Sequence, residues 1–94
     1  MLDAAACDEF RRTLKGGTVL YSASAYELPP ELRARAVWRV SEYTAFHRES
    51  DRDWGMFTLG GYQFIWIIRE EPDLTLTIYL KEDFLGVEFA LPKV

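Results

Sequence analysis

The sequence predicts an α+β domain in which an antiparallel meander sheet of three to four strands carries two helices on one face, in the order α-β-α-β-β-β. Three observations predict this class: a strictly alternating run over residues 62–69, a glycine pair before it, and two amphipathic helical stretches. Alternation places residues of the run on two opposite faces. One face holds Tyr62, Phe64, Trp66 and Ile68, and the other holds Gln63, Ile65, Ile67 and Arg69. Because both sets are apolar at the centre, this strand is expected to be buried on both sides along its middle.

The flanking segments extend the run into a meander. Gly60 and Gly61 supply the positive φ values of a tight hairpin turn and join residues 54–59 to the central strand. Residues 70–73 form a turn, because Pro72 cannot donate to a ladder and the acids favour water. Residues 74–81 then alternate as a third strand of the meander, and residues 86–91 offer a fourth strand.

Two helices precede the meander. Residues 3–15 carry early acids and late bases, as the helix dipole prefers, and Gly16 and Gly17 end this helix. Prolines 29 and 30 open a second helix that ends near Phe46. Its apolar face comprises Leu32, Ala36, Val40 and Tyr43, and its opposite side carries Arg33, Arg35, Arg39 and Glu42. The spacing predicts the ion pairs Glu31–Arg35 and Arg39–Glu42 on its surface. Residues 18–22 are β-rich and form either an edge strand or a linker.

Length and composition favour one compact domain over residues 1–94 in a reducing cytoplasm. At 94 residues with 15% aromatics, the chain can bury a modest core. The single cysteine, Cys7, cannot form an internal disulfide, which fits a reducing compartment. The longest apolar run, residues 64–68, is too short to span a membrane, and the acidic start lacks the pattern of a signal peptide.

The net charge of −4 comes from the second half of the chain. Residues 1–50 contain seven acids and seven bases, whereas residues 51–94 contain eight acids and four bases. An acidic domain repels phosphate backbones, so direct nucleic-acid binding is not expected. The turn acids either keep the ends of the meander hydrated or bind a basic partner.

No pattern in the sequence is typical of catalysis or of a cofactor. Glu49, Asp51 and Asp53 recur at every second position, as oxygen ligands of Ca²⁺ can, but Gly55 falls seventh instead of sixth and no glutamate closes a twelve-residue loop. The chain has no zinc motif, no glycine-rich phosphate loop and no nucleophile beside a base. We therefore expect no metal, no cofactor and no catalytic residue, and an enzymatic or small-ligand-binding domain is the weaker alternative.

Several stretches of the chain resemble a known group of proteins. They are DEFRRT (8–13), GGTVL (16–20), LPP (28–30) leading into RAR (33–35), DRDWGMF (51–57), FIW (64–66) and LTIYLKEDF (76–84). In this order and spacing they resemble an uncharacterised family of small bacterial proteins that are common on plasmids, phages and other mobile elements. The resemblance covers nearly the whole chain. It implies a mobile-element setting and no established activity.

These observations together favour a non-enzymatic inhibitor of the anti-CRISPR kind, by analogy of size, charge and setting. Its partner would be a host protein complex, such as a CRISPR effector or another nuclease, bound through acidic turns that mimic phosphates or through a sheet face. The candidate partner-binding residues are Asp51, Asp53, Trp54, Glu70, Glu71, Asp73, Tyr79, Glu82 and Asp83. The alternative is a plasmid or phage accessory module that forms a homodimer or binds a replication or partition protein. The sequence leaves open which face of the central strand is exposed.

Overall fold

A computed structural model describes residues 3–44, 52–70 and 73–84. Its elements are α1 (Ala4–Thr13), β1 (Thr18–Tyr21), α2 (Ala23–Tyr26), α3 (Pro30–Ser41), β2 (Trp54–Leu59), β3 (Tyr62–Arg69) and β4 (Thr75–Leu80). A helical turn over residues 81–84 follows β4 directly. The predicted α+β class is confirmed. In the part of the chain that is described, no helix is long and apolar enough to cross a membrane.

The four strands form one mixed sheet in the order β1-β4-β3-β2. Strands β2, β3 and β4 are antiparallel neighbours, as predicted, but β1 lies parallel to β4 at the edge of the sheet. The prediction of a purely antiparallel meander was therefore wrong for the first strand. No tight turn ties β1 to its neighbour, because two helices and a hairpin separate them in the chain, so nothing local imposes antiparallel pairing. The fourth strand predicted over residues 86–91 lies outside the described residues.

The hairpin between β2 and β3 agrees with its prediction. Leu59 pairs with Tyr62, so only two residues form the turn. Gly60 has φ 60° and Gly61 has φ 84°, the pair of positive values that a type I′ turn requires. This turn fixes the register of the hairpin and therefore decides which side chains share a face.

The core lies on the face of the sheet that carries the aromatic-rich set of β3. Trp66 is fully buried, and Phe64 and Ile68 belong to the same cluster as residues of the helices. The cluster comprises Cys7, Phe10, Ala25, Leu28, Ala36, Val40, Phe57, Leu59, Phe64, Trp66, Ile68, Leu76, Ile78 and Leu80. Ala36 and Val40 are buried at the predicted face of α3. The other face of β3, with Ile65 and Ile67, is turned away from this cluster.

The helix ends differ from their predicted positions for local reasons. Helix α1 ends at Thr13 because Leu14 adopts the left-handed conformation, with φ 57°, and its amide donates to the carbonyl of Phe10. A short extra helix, α2, separates β1 from the two prolines. Helix α3 ends at Ser41, where the buried Arg11 guanidinium donates to the carbonyls of Val40 at 2.9 Å and Ser41 at 3.0 Å. A cation at this position satisfies the last carbonyls of the helix.

Candidate protein-binding surface

The face of the sheet opposite the core cluster is called the outer face here. Strand pairing orders its side chains in rows that run across the strands. One row comprises Leu20, Thr77, Ile67 and Trp54, and the next comprises Tyr79, Ile65 and Met56. The rows result from alternation alone, because every second residue of each strand points to this side. A continuous surface of mainly apolar side chains therefore extends from β1 to β2.

The exposed apolar side chains of the outer face concentrate on β2. Trp54 is 54% exposed and Met56 is 52% exposed, and Ile67, the partner of Trp54 in the ladder, is half-buried. We call these three residues the Trp54 patch. Ile65, in the next row, is only 6% exposed. Large apolar side chains that stay exposed side by side are uncommon on monomeric proteins and are typical of interfaces.

The predicted acids divide between the two ends of the sheet. Asp53 precedes β2, Glu70 follows β3 and Asp73 precedes β4, so antiparallel pairing places all three at one end. Glu82 and Asp83 follow β4 and lie at the opposite end, roughly 20 Å away by the rise of a six-residue strand. The candidate acids therefore do not form one cluster. Asp51 and Glu71 lie outside the described residues.

The acidic end of the sheet carries one base of the sheet, Arg69, the last residue of β3. The side chains of Asp53 and Asp73 form no ion pair or hydrogen bond with other residues of the described ranges. The nearest base in sequence, Arg52, donates instead to Asp8 at 2.7 Å. Burial alone would raise the pKa of Asp8, but hydrogen bonds and attraction from Arg11 and Arg52 outweigh burial and lower it. Arg52 is thus held by Asp8 and does not neutralise Asp53.

Two of the predicted contact residues also have partners within the fold. The Tyr79 hydroxyl accepts a hydrogen bond from Arg69 at 3.2 Å, and its ring packs edge-on against Phe84 at 5.4 Å. The carboxylate of Asp83 accepts from the amide of Ser24 at 3.0 Å and from its hydroxyl at 2.9 Å. Asp83 therefore supplies the cap of α2, whose own N-cap residue makes no side-chain cap bond. The hydroxyl of Ser22 most of all, and then the amide and hydroxyl of Ser24, lower the pKa of Asp83 against the opposing effect of burial.

An open depression of about 490 Å³ lies at the hairpin end of the outer face, and Glu82 is at its rim. Thr58, Gln63 and Lys81 line it, and the same three side chains line a smaller depression of about 210 Å³ that reaches Met56 and Ile65. The two depressions connect the polar hairpin end with the apolar centre of the face. Met56 was not predicted as a surface residue, although its alternation with Gly55 and Phe57 places it on the same face of the strand as Trp54.

The free edge of β2 is covered by two side chains of the α3 region. The Met56 amide donates to the hydroxyl of Tyr43 at 3.3 Å, and Arg39 donates to the carbonyl of Thr58 at 3.1 Å. Gly55 makes the first contact feasible, because a Cβ there would lie 2.7 Å from the Tyr43 ring and from Nε1 of Trp66. The Tyr43 ring in turn packs edge-on against Trp66 at 5.4 Å. Backbone groups that would otherwise attract another strand are thus partly satisfied.

Two of the three arginines of α3, Arg33 and Arg39, have contacts within the fold. Arg33 stacks over the ring of Tyr26 at 4.7 Å and donates to its carbonyl at 2.7 Å. Arg39 lies over the ring of Phe57 at 4.9 Å. Neither of the predicted ion pairs, Glu31–Arg35 and Arg39–Glu42, forms among the described residues, which corrects that expectation. Aromatic rings and a backbone carbonyl take the place of the carboxylates for Arg33 and Arg39.

The described part of the chain contains no group of three or more histidine, cysteine, aspartate or glutamate side chains that could hold a metal ion. Cys7 forms no disulfide and is buried in the core. Comparison with known proteins found no matching family model, no matching curated protein and no matching solved structure.

Proposed function

We propose that this chain is a binding protein without catalytic activity, which attaches to another protein through the Trp54 patch and the adjoining acidic end of the sheet. The observation that carries the proposal is the exposure of Trp54 and Met56 on the outer face of a sheet whose nearer end carries Asp53 and Asp73, two carboxylates that have no partner among the described residues. An aromatic anchor next to acids complements a partner surface with an apolar pocket rimmed by arginine or lysine. The partner we propose is a protein with such a basic surface.

The partner class follows from this charge and from the resemblance to mobile-element proteins. Nucleic-acid grooves of nucleases are basic because they bind phosphates, and carboxylates spaced along a sheet end can replace phosphates there. We propose an inhibitor of the anti-CRISPR kind that occupies such a groove on a host CRISPR effector or another nuclease complex. The second candidate is the homodimeric accessory module of plasmids or phages, which the uncharged edge strand β1 favours.

The experiment is capture of purified nuclease effector complexes on the immobilised protein, followed by measurement of affinity. Replacement of Trp54 by alanine should weaken binding by about 2 kcal/mol, roughly thirtyfold, as expected for a central aromatic anchor. Trp38 offers a matched control, because it is a similarly exposed tryptophan, 62% accessible, on α3 in the helical layer. Trp38→Ala should bind as the wild type does. Loss of binding in the control alone would place the interface on the helices and contradict the proposal.

A second variant tests the acidic end separately from the aromatic anchor. The double change Asp53→Asn and Asp73→Asn should weaken the complex and reduce its sensitivity to salt, since screening acts on exposed charges. Excess duplex DNA should compete with the wild-type protein for the nuclease. Binding that is changed neither by excess DNA nor by roughly 0.5 M salt would show that the protein does not occupy a nucleic-acid groove of the nuclease. Failure of every nuclease complex to bind would contradict the inhibitor function itself.

A further inference from the structure

The outward edge of β1 lacks side-chain hydrogen bonds such as those that Tyr43 and Arg39 make to the edge of β2. The amides of Thr18 and Ser22 donate to the carbonyls of Leu74 and Ile78, so alternate residues of β1 face β4. The amide and carbonyl groups of Val19 and Tyr21 consequently point away from the sheet. No residue of the described ranges forms a hydrogen bond with these four groups. The strand is also uncharged, whereas natural edges often use charge to repel other strands.

These four groups are arranged so that one β1 strand complements another. In an antiparallel pair of two copies, Val19 of one strand lies opposite Tyr21 of the other, and each such pair exchanges two hydrogen bonds. The two pairs together use every free group of the edge. Leu20 then lies opposite its own copy, at the intervening position where the ladder has no hydrogen bonds and side chains are closest.

The side chain at the symmetry axis fits this arrangement. Leu20 is 48% exposed, lies on the outer face and does not belong to the core cluster. Pairing of the two copies would cover both leucines and join the rows that lead through Thr77 and Ile67 to Trp54 into one row across eight strands. An interface that is the same patch on both subunits is the usual form of a two-fold dimer.

We propose that β1 pairs antiparallel with β1 of a second copy of this chain, about a two-fold axis through Leu20. The strand has four residues, so the contact area falls below the roughly 1,200–2,000 Å² of tight complexes, and the dimer is expected to dissociate at micromolar concentration. The dimer uses the edge opposite the Trp54 patch and leaves that patch open. It therefore holds or fails independently of the proposed inhibitor function.

Sedimentation equilibrium between about 10 µM and about 1 mM tests the association. The wild type should approach twice its chain mass of 10.9 kDa at the upper concentrations. Leu20→Lys should raise the dissociation constant at least roughly tenfold, because two ammonium groups would meet at the axis. Met56→Lys is the matched control, since it places the same charge on the outer face at a similarly exposed site of the protected strand, and it should associate as the wild type does. A wild type that stays monomeric at the highest concentration, or equal association of Leu20→Lys, overturns the proposal.

Disulfide crosslinking tests the register. With diamide as oxidant, Leu20→Cys should give a covalent dimer quickly, because the Cβ atoms at the axis lie about 4.5–5.5 Å apart. Thr18→Cys should not, because the same register separates the two Thr18 positions by roughly 13 Å along the strands. The wild type controls for the buried Cys7. Equal or faster crosslinking of Thr18→Cys would overturn the proposed register and its axis.

Discussion

The two edge strands of the sheet, β1 and β2, are both uncharged but have different neighbours. Two outward backbone groups of β2, the Met56 amide and the Thr58 carbonyl, bind the side chains of Tyr43 and Arg39. The outward groups of β1 meet no hydrogen-bonding partner in the described part of the chain. Among the described residues, β1 is protected only by its shortness, because it presents two outward residues.

The difference shows that protection of an edge depends on the packed layer and not on the strand that forms the edge. Tyr43 reaches Met56 because its ring rests on Trp66 and because Gly55 leaves room between them. The β2 edge is thereby less available for pairing with another strand, while Trp54 on the same strand stays exposed on the outer face. The other edge keeps its hydrogen-bonding capacity. The fold thus offers two separate surfaces, which we propose serve a foreign partner and a second copy of the chain.

Replacement of Trp66 should have the largest effect on stability and on the protection of the β2 edge. Trp66→Ala removes a fully buried ring and is expected to cost about 3–5 kcal/mol of unfolding free energy, measured by urea denaturation. It also removes the support of Tyr43, so exchange of the Met56 amide with solvent should accelerate, which hydrogen–deuterium exchange can measure.

Two further variants make this test interpretable. Trp66→Phe keeps a ring in the core and should remain folded if the alanine variant does not, with a smaller loss and a smaller acceleration at Met56. Trp38→Ala truncates an exposed tryptophan and should change stability by less than about 0.5 kcal/mol. Equal losses for Trp66→Ala and Trp38→Ala would show that Trp66 is not the centre of the core.

Residues close in sequence made the hairpin and the two faces of β3 predictable. Gly60 and Gly61 fixed the turn, and alternation assigned the side chains to faces. Both sets are apolar at their centre, so the sequence left open which face is exposed, and the packing of the helices decides that Trp66 is buried. The parallel partner of β1 could not be predicted, because the paired residues Thr18 and Thr75 lie 57 positions apart in the chain and no local turn links them.

The side chains that cover the β2 edge could not be predicted either, because they lie far in sequence from the groups they bind. Arg39 and Thr58 are separated by 19 positions, and Tyr43 and Met56 by 13. Nothing in the α3 sequence distinguishes an arginine that binds a backbone carbonyl from one that pairs with Glu42. Among the candidate contact residues, Trp54 could be placed on a strand face, whereas the capping role of Asp83 depends on a serine 59 positions away.

Removal of the polar cover of β2 should have an intermediate effect. The double variant Tyr43→Phe and Arg39→Met keeps the ring on Trp66 and an apolar side chain at position 39, but removes both hydrogen bonds to the edge and the contact of the Arg39 guanidinium with Phe57. Each lost bond costs about 1 kcal/mol, so a total loss of about 2 kcal/mol is expected in urea denaturation. The unprotected edge should then resemble β1, with faster exchange at Met56 and stronger self-association in sedimentation experiments.

Arg35→Met is the control for the arginine change. The described part of the chain gives the Arg35 side chain no hydrogen bond or ion pair, so its loss should leave exchange and association unchanged. If the double variant showed the same amide exchange at Met56 and the same self-association as the wild type, the side chains of Tyr43 and Arg39 would not protect the β2 edge.

The smallest effect is expected at Asp83, which acts only on the β1 side of the sheet. Asp83→Asn weakens the cap of α2, which follows β1 directly, and should cost about 1 kcal/mol at neutral pH without changing exchange at Met56. Because the folded state lowers the pKa of Asp83 below its ordinary value of 3.8, the carboxylate stabilises the fold above that value and loses its contribution as pH falls through the folded pKa. The stability difference between wild type and variant, measured by thermal unfolding, should therefore be largest near neutral pH and should shrink below about pH 4. A difference that stays constant from about pH 7 to about pH 2.5 would mean that the charge of Asp83 does not hold α2 and the adjoining end of β1.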